Sequence, residues 1–179
     1  IPDTPGNLIL RILSKPRSHD TQTERQFVQF VRSSLMGAGM AINELPLDQF
    51  FVEVPNPDGS INDVLFSCHM DTVDSKTDVL DKKLMYDPNF GHLFLATNSP
   101  GSCLGADDGA GVWMLIKMVA AKVPGTYIFH RGEECGGLGA KAIVAAKGEW
   151  LKKFNICVEF DRKGTSDIVT HQRGRTECA

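Results

Sequence analysis

Apolar residues recur along the chain in two patterns, one with helical spacing and one in short runs typical of buried strands. The helical pattern predicts four helices, over residues 7–13, 24–36, 110–122 and 139–147. The short runs predict strands within residues 41–54 and over residues 64–68, 126–130 and 156–160, and a hairpin excursion within residues 80–96. Thr21 or Thr23 would cap the second helix. Strands that alternate with helices in this way predict an α/β fold.

Size and charge narrow the class of protein. A chain of 179 residues with 42% hydrophobic and 23% charged residues fits one ordinary globular domain. A net charge of −3 gives no reason to expect nucleic acid or an anionic membrane as a partner. The longest apolar stretch, residues 112–121, contains Lys117 and is too short to span a bilayer. We therefore expect neither nucleic-acid nor membrane partners.

Cysteine usage indicates a reducing compartment. The five cysteines are an odd number and include no Cys-x-x-Cys pair, and no signal peptide is recognisable at the start of the sequence. These observations predict a cytoplasmic location. Cys68, Cys103 and Cys135 flank polar motifs, and we interpret them as small buried hydrophobic residues rather than reactive thiols.

Polar motifs follow three of the predicted strands, and a fourth opens a helix. They are His69-x-Asp71, the pair Asp107-Asp108 within a run of small residues, the pair Glu133-Glu134, and Asp161. Open α/β sheets bind ligands at the carboxyl ends of their strands, so we expect these side chains to meet. One imidazole among several carboxylates suits a pair of divalent cations, with a further carboxylate free to accept a proton from water.

Each motif also has an ordinary structural explanation when it is taken alone. A histidine at a strand end often makes a simple hydrogen bond, an aspartate pair suits a helix start, and a glutamate pair is common on surface loops. Glu159 lies two residues before Asp161 on the same face of the strand, so periodicity does not choose between the two carboxylates. The order of the motifs and their shared position at strand ends favour the metal site.

Three segments together resemble a known superfamily. They read His-Met-Asp-Thr-Val over 69–73, Gly-Ala-Asp-Asp-Gly-Ala-Gly over 105–111 and Glu-Glu-Cys-Gly-Gly-Leu-Gly-Ala over 133–140. The series is similar to that of the co-catalytic di-zinc exopeptidases and deacylases, in the branch of peptidase T, carboxypeptidase G and acetylornithine deacetylase. The resemblance implies a three-layer sandwich in which helices flank a mostly parallel, twisted sheet. It also implies a cis peptide bond between Asp107 and Asp108.

The resemblance further implies a role for each matching residue. His69 and Asp161 would bind one metal, Glu134 would bind the second, and Asp107 would bridge both metals. Glu133 would be the general base, and Asp71 would support that base. Asp108 would lie outside the ligands. The implied cofactor is a pair of zinc ions, with cobalt or manganese also admissible. The implied reaction is hydrolysis of a small peptide or an N-acyl amino acid by a metal-activated water.

One part of the family pattern is missing. The superfamily completes its second metal site with a histidine near the C-terminus, whereas His171 is the only histidine after Asp161 and matches no motif. We therefore expect residues 1–179 to form a single catalytic domain, shortened at its C-terminal end and without a lid or dimerisation domain. We interpret His19, His92 and His130 as structural. The sequence does not indicate an oligomeric state.

Two other functions remain open at this stage. The chain could be a non-catalytic binding or scaffolding module that keeps the metallopeptidase fold, which the missing histidine favours and the Glu133-Glu134 pair disfavours. A thiol-dependent hydrolase that uses Cys135 or Cys68 ranks last, because no histidine stands in a partnering motif.

Overall fold

A computed structural model of the chain describes residues 8–73, 82–89, 91–97, 103–164, 166–172 and 175–176. Its helices are α1 (Leu8–Leu13), α2 (Gln22–Gly37), α3 (Ala106–Ala120) and α4 (Leu138–Leu151). Its strands are β1 (Asn43–Leu45), β2 (Gln49–Val54), β3 (Val64–His69), β4 (Lys82–Asp87), β5 (His92–Thr97), β6 (Gly125–His130), β7 (Ile156–Glu159), β8 (His171–Gln172) and β9 (Arg175–Thr176). The predicted α/β class is confirmed.

Five strands form one mixed sheet in the order β1-β2-β6-β3-β7. β6, β3 and β7 are parallel, whereas β1 and β2 are antiparallel to their neighbours. β4 pairs with β5, and β8 with β9, as separate two-stranded sheets. The parallel part therefore covers the strands that carry the predicted site motifs, and the antiparallel part lies beside it.

Helices cover both faces of the five-stranded sheet, which gives the three layers that the resemblance implies. On one face α1, α2 and α3 pack against β2, β3 and β6 around a core that includes Phe27, Phe50 and Phe129. The rings of Phe50 and Phe129, which are paired across β2 and β6, stack with centroids 5.0 Å apart. On the other face Ile143 and Trp150 of α4 join a second cluster with β1, β3 and β6.

The helix ends follow from local sequence signals in most places. Thr21 caps α2, since its side chain accepts a hydrogen bond from the backbone N–H of Glu24 at 3.1 Å. The structure thus chooses Thr21 over Thr23. α4 runs four residues beyond its predicted end, with a non-helical φ of −132° at Lys147. Trp150 packs against Phe51 with ring centroids 4.8 Å apart, and this tertiary contact accounts for the extra turn.

The strand register brings three loops to one edge of the sheet. His69 pairs with His130 across β3 and β6, and Ser67 pairs with Glu159 across β3 and β7. The carboxyl ends of these parallel strands are therefore level, so the segments that follow them begin side by side. In the described residues, no helix is both long enough and apolar enough to cross a membrane.

Candidate metal centre

His69 lies at the centre of the cleft that these strand ends form. Its side chain is buried, and its Nδ1 lies 3.1 Å from the backbone carbonyl oxygen of Asp71. A carbonyl oxygen only accepts hydrogen bonds, so Nδ1 is the donor and Nε2 is left to face the cleft. Nε2 lies 2.9 Å from Oδ1 of Asp107 and 3.8 Å from Oδ1 of Asp161. This is the orientation that a metal-binding imidazole requires.

The two aspartates at the start of α3 point in different directions. Asp107 extends into the cleft with its side chain 70% exposed, whereas Asp108 is buried. The Asp108 carboxylate accepts hydrogen bonds from the backbone N–H groups of Gly111 at 2.8 Å and His69 at 3.3 Å. The peptide bond between Asp107 and Asp108 is cis, which confirms that prediction. Asp107 is therefore available to a ligand, and Asp108 fixes the turn.

Glycine is required where Asp108 folds back over the helix start. A Cβ on Gly111 would lie 2.3 Å from both carboxylate oxygens of Asp108. Burial raises the pKa of Asp108 to about 8, and the nearby His69 opposes that rise. The small residue at Gly111 therefore allows the Asp108 carboxylate, which does not face the cleft, to pack closely against the helix start.

The glutamate turn after β6 is held by Asp71. This buried carboxylate accepts hydrogen bonds from the backbone N–H groups of Glu133 at 3.1 Å and Glu134 at 3.2 Å. Burial tends to raise the pKa of Asp71, but His69 and the N–H of Glu133 outweigh that effect and lower it below 3.8. Asp71 consequently joins the end of β3 to the two half-buried glutamates.

The structure brings the predicted ligands and the predicted general base, Glu133, together in two overlapping groups. His69, Asp107 and Glu134 offer ligand atoms that all lie within 4.8 Å of one another, and so do His69, Glu133 and Asp161. The geometry therefore places one glutamate in each group. Of the two carboxylates near the end of β7, Asp161 faces His69, whereas Glu159 accepts a hydrogen bond from Nε2 of His130 at 2.8 Å.

The charges of the cleft suit divalent cations. Burial tends to lower the pKa of His69, but hydrogen bonds to Asp161 and Asp71 and the nearby carboxylates raise it to about 11. Burial raises the pKa of Glu134, and the neighbouring Asp107 adds to that rise. One imidazolium faces several carboxylates, so negative charge is in excess. Bound cations would remove this repulsion, and the residues present fit such ions.

The cysteines only partly match expectation. Cys68 is buried, as predicted, and its burial raises the pKa of its thiol well above 9.0, which disfavours a thiolate nucleophile. Cys103 is half-buried, whereas Cys135 is exposed on the loop between Glu134 and α4. The interpretation of Cys135 as a buried hydrophobic residue is therefore wrong. Its loop carries no apolar run that could enclose it.

Sequence reasoning missed several buried charged residues around the site. Arg17, Glu24 and Arg131 are each at most 6% exposed. Two of them lie close to features that the sequence indicates. Glu24 is three residues after the helix cap Thr21, and Arg131 directly precedes the glutamate turn. The other histidines divide: His19 contacts Glu24 and His130 contacts Glu159, while the side chains of His92 and His171 lie outside the described part of the chain.

The mixed sheet with helices on both faces and the histidine–carboxylate cleft at its strand ends agree with a catalytic-domain fragment of the co-catalytic zinc exopeptidase superfamily, and the family match supports the same class. Residues 52–176 match the model of peptidase family M28, and the chain belongs to that family. No curated protein sequence matches the chain.

Solved structures share the fold at low sequence identity. Aminoacylhistidine dipeptidase from Vibrio alginolyticus superposes with a TM-score of 0.66 and 23% identity, over 90% of this chain and 33% of that one. Aminopeptidase PepT from Bacillus cereus gives a TM-score of 0.64 and 18% identity, over 90% and 44%. The YXEP protein of Bacillus subtilis, a dinuclear metal-binding peptidase from the M20 family, gives 0.56 and 16%, over 87% and 41%. The chain thus spans a third to under half of these proteins.

Proposed function

We propose that the chain carries the metal-binding part of a metal-dependent peptidase of the aminopeptidase or dipeptidase type. The convergence of His69, Asp107, Asp161 and the two glutamates on one cleft is the observation that carries this proposal. Membership of peptidase family M28 supports the peptide bond as the target. Small peptides are the proposed substrates, with N-acyl amino acids as a further substrate class.

In this proposal His69 and Asp161 would hold one divalent ion, Glu134 would hold a second, and Asp107 would serve both. Zinc is the proposed ion, and cobalt or manganese would fit the same donors. His69 Nε2 and Asp107 Oδ1 lie 2.9 Å apart, which supports the proposal that both atoms bind the same ion. Asp108 stays outside the ligands, since its carboxylate is already occupied by backbone N–H groups.

Glu133 is the proposed general base. When bound, the ions would acidify a water molecule and polarise the scissile carbonyl group. Glu133 would take a proton from the water as the water oxygen bonds to the carbonyl carbon, and would deliver that proton to the amine nitrogen as the C–N bond breaks. Asp71 orients this glutamate through the backbone N–H groups of the turn, without entering either ligand group. The half-burial of Glu133 leaves it accessible to water and near the ligands.

The substitution Glu133→Gln separates the base from the ligands. We expect the variant to keep its zinc content while kcat for short peptides falls by about 10²–10⁴-fold, the usual contribution of a general base. Peptide hydrolysis and metal content are measured on the same zinc-loaded samples. Glu149→Gln, on the exposed side of α4, is the matched control and should change neither quantity.

Two outcomes would speak against this function. Full activity in Glu133→Gln would exclude the glutamate as the base. A zinc-loaded wild-type chain that hydrolyses no peptide would favour the alternative, a binding or scaffolding module that retains the fold.

A cytoplasmic location remains a proposal that rests on cysteine usage. The five cysteines are an odd number, and the sequence contains no Cys-x-x-Cys pair. This usage is typical of reducing compartments, where structural disulfides are rare.

A further inference from the structure

A buried ion pair stands directly behind the glutamate turn. Arg131, the residue before Gly132-Glu133-Glu134, donates from Nε to the Glu24 carboxylate at 2.9 Å and from a terminal nitrogen to its other oxygen at 2.5 Å. The side chain of Glu24 is 0% exposed and that of Arg131 is 8% exposed. Glu24 belongs to α2, so this pair joins the first part of the chain to the loop that carries both glutamates.

We propose that the Glu24–Arg131 pair is a positioning device that sets the geometry of the glutamate turn and hence the metal affinity of the group formed by His69, Asp107 and Glu134. The inference rests on the proposed function, because it assigns a role to residues that do not touch the metal or the substrate.

Arg131 is fixed at every polar group that it offers. Its backbone N–H donates to Oε1 of Gln49 at 3.1 Å, and its carbonyl accepts from the N–H of Gly139 at 3.0 Å. Its remaining terminal nitrogen donates to the carbonyl of Leu47 at 2.9 Å. Side chain and backbone are therefore held together by α2, by β2 and the turn before it, and by α4. A residue fixed in this way defines where the following turn begins.

The backbone conformation of Gly132, the next residue, sets the direction in which the turn leaves Arg131. Gly132 has a φ of +70°, and a Cβ there would lie 3.0 Å from Cε1 of His19 and 3.2 Å from Cβ of Leu138. His19 is itself placed by Glu24, whose Oε1 lies 3.3 Å from its Nδ1. The same carboxylate thus orients Arg131 on one side and the imidazole that packs against Gly132 on the other.

The turn is then anchored at both ends. The backbone N–H groups of Glu133 and Glu134 donate to Asp71 on the cleft side, while Arg131 and Gly132 are held from behind. A shift of Arg131 would move the backbone that carries both glutamates. Partners that orient metal ligands from outside are worth about 10–100-fold in metal affinity when they are mutated.

The segment before α2 also contacts two other loops of the site. The Arg17 guanidinium donates to the carbonyl of Gly105, which precedes Asp107. The carbonyl of Arg17 accepts from the N–H of Thr72, directly after Asp71, at 3.2 Å. Residues 17–24 therefore contact the loops that carry Asp71, Asp107 and the two glutamates. This placement supports positioning of the site as the role of Glu24, beyond general stability.

Two variants test the proposal. Glu24→Gln keeps the size of the side chain and removes its charge. The double variant Glu24→Gln/Arg131→Met removes both charges, so that no unpaired ion stays buried, and it decides the matter if the single variant fails to fold. Val54→Ala is the control, because it creates a cavity in the buried end of β2 opposite the site.

Zn²⁺ titrations, thermal unfolding without metal, and kcat and KM for a short peptide are measured on each variant. We expect Zn²⁺ affinity at one of two sites to fall at least tenfold in both Glu24 variants, with kcat reduced and KM within about twofold of wild type. Val54→Ala should lower the melting temperature and leave both affinities within about twofold.

Two results would overturn the inference alone. One is unchanged Zn²⁺ affinity in the double variant, and the other is a loss of affinity in Val54→Ala as large as in the Glu24 variants. A wild-type chain that binds no Zn²⁺ would instead overturn the proposed function, and this inference with it.

Discussion

Asp71 illustrates how one buried carboxylate can organise a cleft without binding anything in it. Its carboxylate accepts the backbone N–H groups of Glu133 and Glu134, and its backbone carbonyl accepts from Nδ1 of His69. Three of the proposed site residues are therefore oriented by this single residue. A hydrogen bond to a carboxylate is worth roughly twice a neutral one, so the charge matters as well as the shape.

Asp71→Asn should destabilise the metal-free chain by about 1–3 kcal/mol, because an amide cannot accept both N–H groups as a carboxylate does. The pKa of Asp71 is lowered in the folded chain, so its stabilisation is present above the ordinary value of 3.8 and is lost as the pH falls below it. Urea unfolding at pH 7 and at pH 3 measures both effects.

The control for this experiment is Asp58→Asn, a change in the exposed turn between β2 and β3. It should alter the free energy of unfolding by less than about 0.5 kcal/mol. An Asp71→Asn chain as stable as wild type at pH 7 would show that the N–H groups of the glutamate turn do not depend on this carboxylate.

At the residue scale, the sequence indicates which polar residues lie at the site better than it indicates which side chains contact one another. His69, Asp107, Glu133, Glu134 and Asp161 meet in one cleft as expected. Glu159 and Asp161 could not be distinguished by periodicity, because both lie on one face of the strand. The choice depends on His130, which lies on a neighbouring strand and engages Glu159. Such contacts depend on strand order, which local pattern does not encode.

At the element scale, the helix boundaries lie within two residues of their predicted positions except at the start of α3 and the end of α4. Thr21 caps α2 through a local hydrogen bond that sequence can indicate. α4 extends beyond its predicted end because Trp150 packs against Phe51 of β2. α3 begins at Ala106, earlier than predicted, with non-helical φ and ψ at Asp107 and Asp108. The missed boundaries are therefore those set by tertiary packing or by the shape of the site.

Thr21→Ala should destabilise the chain by about 1 kcal/mol, since the N–H of Glu24 loses its partner. Thr23→Ala is the comparison, because its hydroxyl contacts the Thr21 hydroxyl at 2.9 Å and does not cap the helix. Chemical denaturation of both variants should show the larger loss for Thr21→Ala. An equal or larger loss for Thr23→Ala would mean that the cap is assigned to the wrong threonine.

At the scale of the whole molecule, the parallel strands and the antiparallel strands serve different purposes. β3, β6 and β7 present the site at their level carboxyl ends, and helices connect them on both faces. β1 and β2 extend the sheet on the side of β6, and Gln49 of β2 and Leu47 of the turn before it hold Arg131. Sequence pattern predicted strands in this region but not their antiparallel direction, which depends on long-range pairing.

The similar structures place this arrangement in a larger context. The chain covers 33–44% of the lengths of the dipeptidase, PepT and YXEP chains, all of which share its fold. Identities of 16–23% support the fold and leave the chemistry to the site itself. The proposed function therefore depends on whether the cleft around His69 binds metal.

The most direct test is the zinc content of the purified, dialysed chain, measured by elemental analysis beside Asp107→Ala. We expect two zinc ions for each wild-type chain and at most one in the variant, because Asp107 is the proposed bridge and its side chain is 70% exposed to the cleft. Thermal unfolding of both proteins checks that the variant is folded. A wild-type chain without zinc, or equal zinc content in the two proteins, would contradict the proposed metal site.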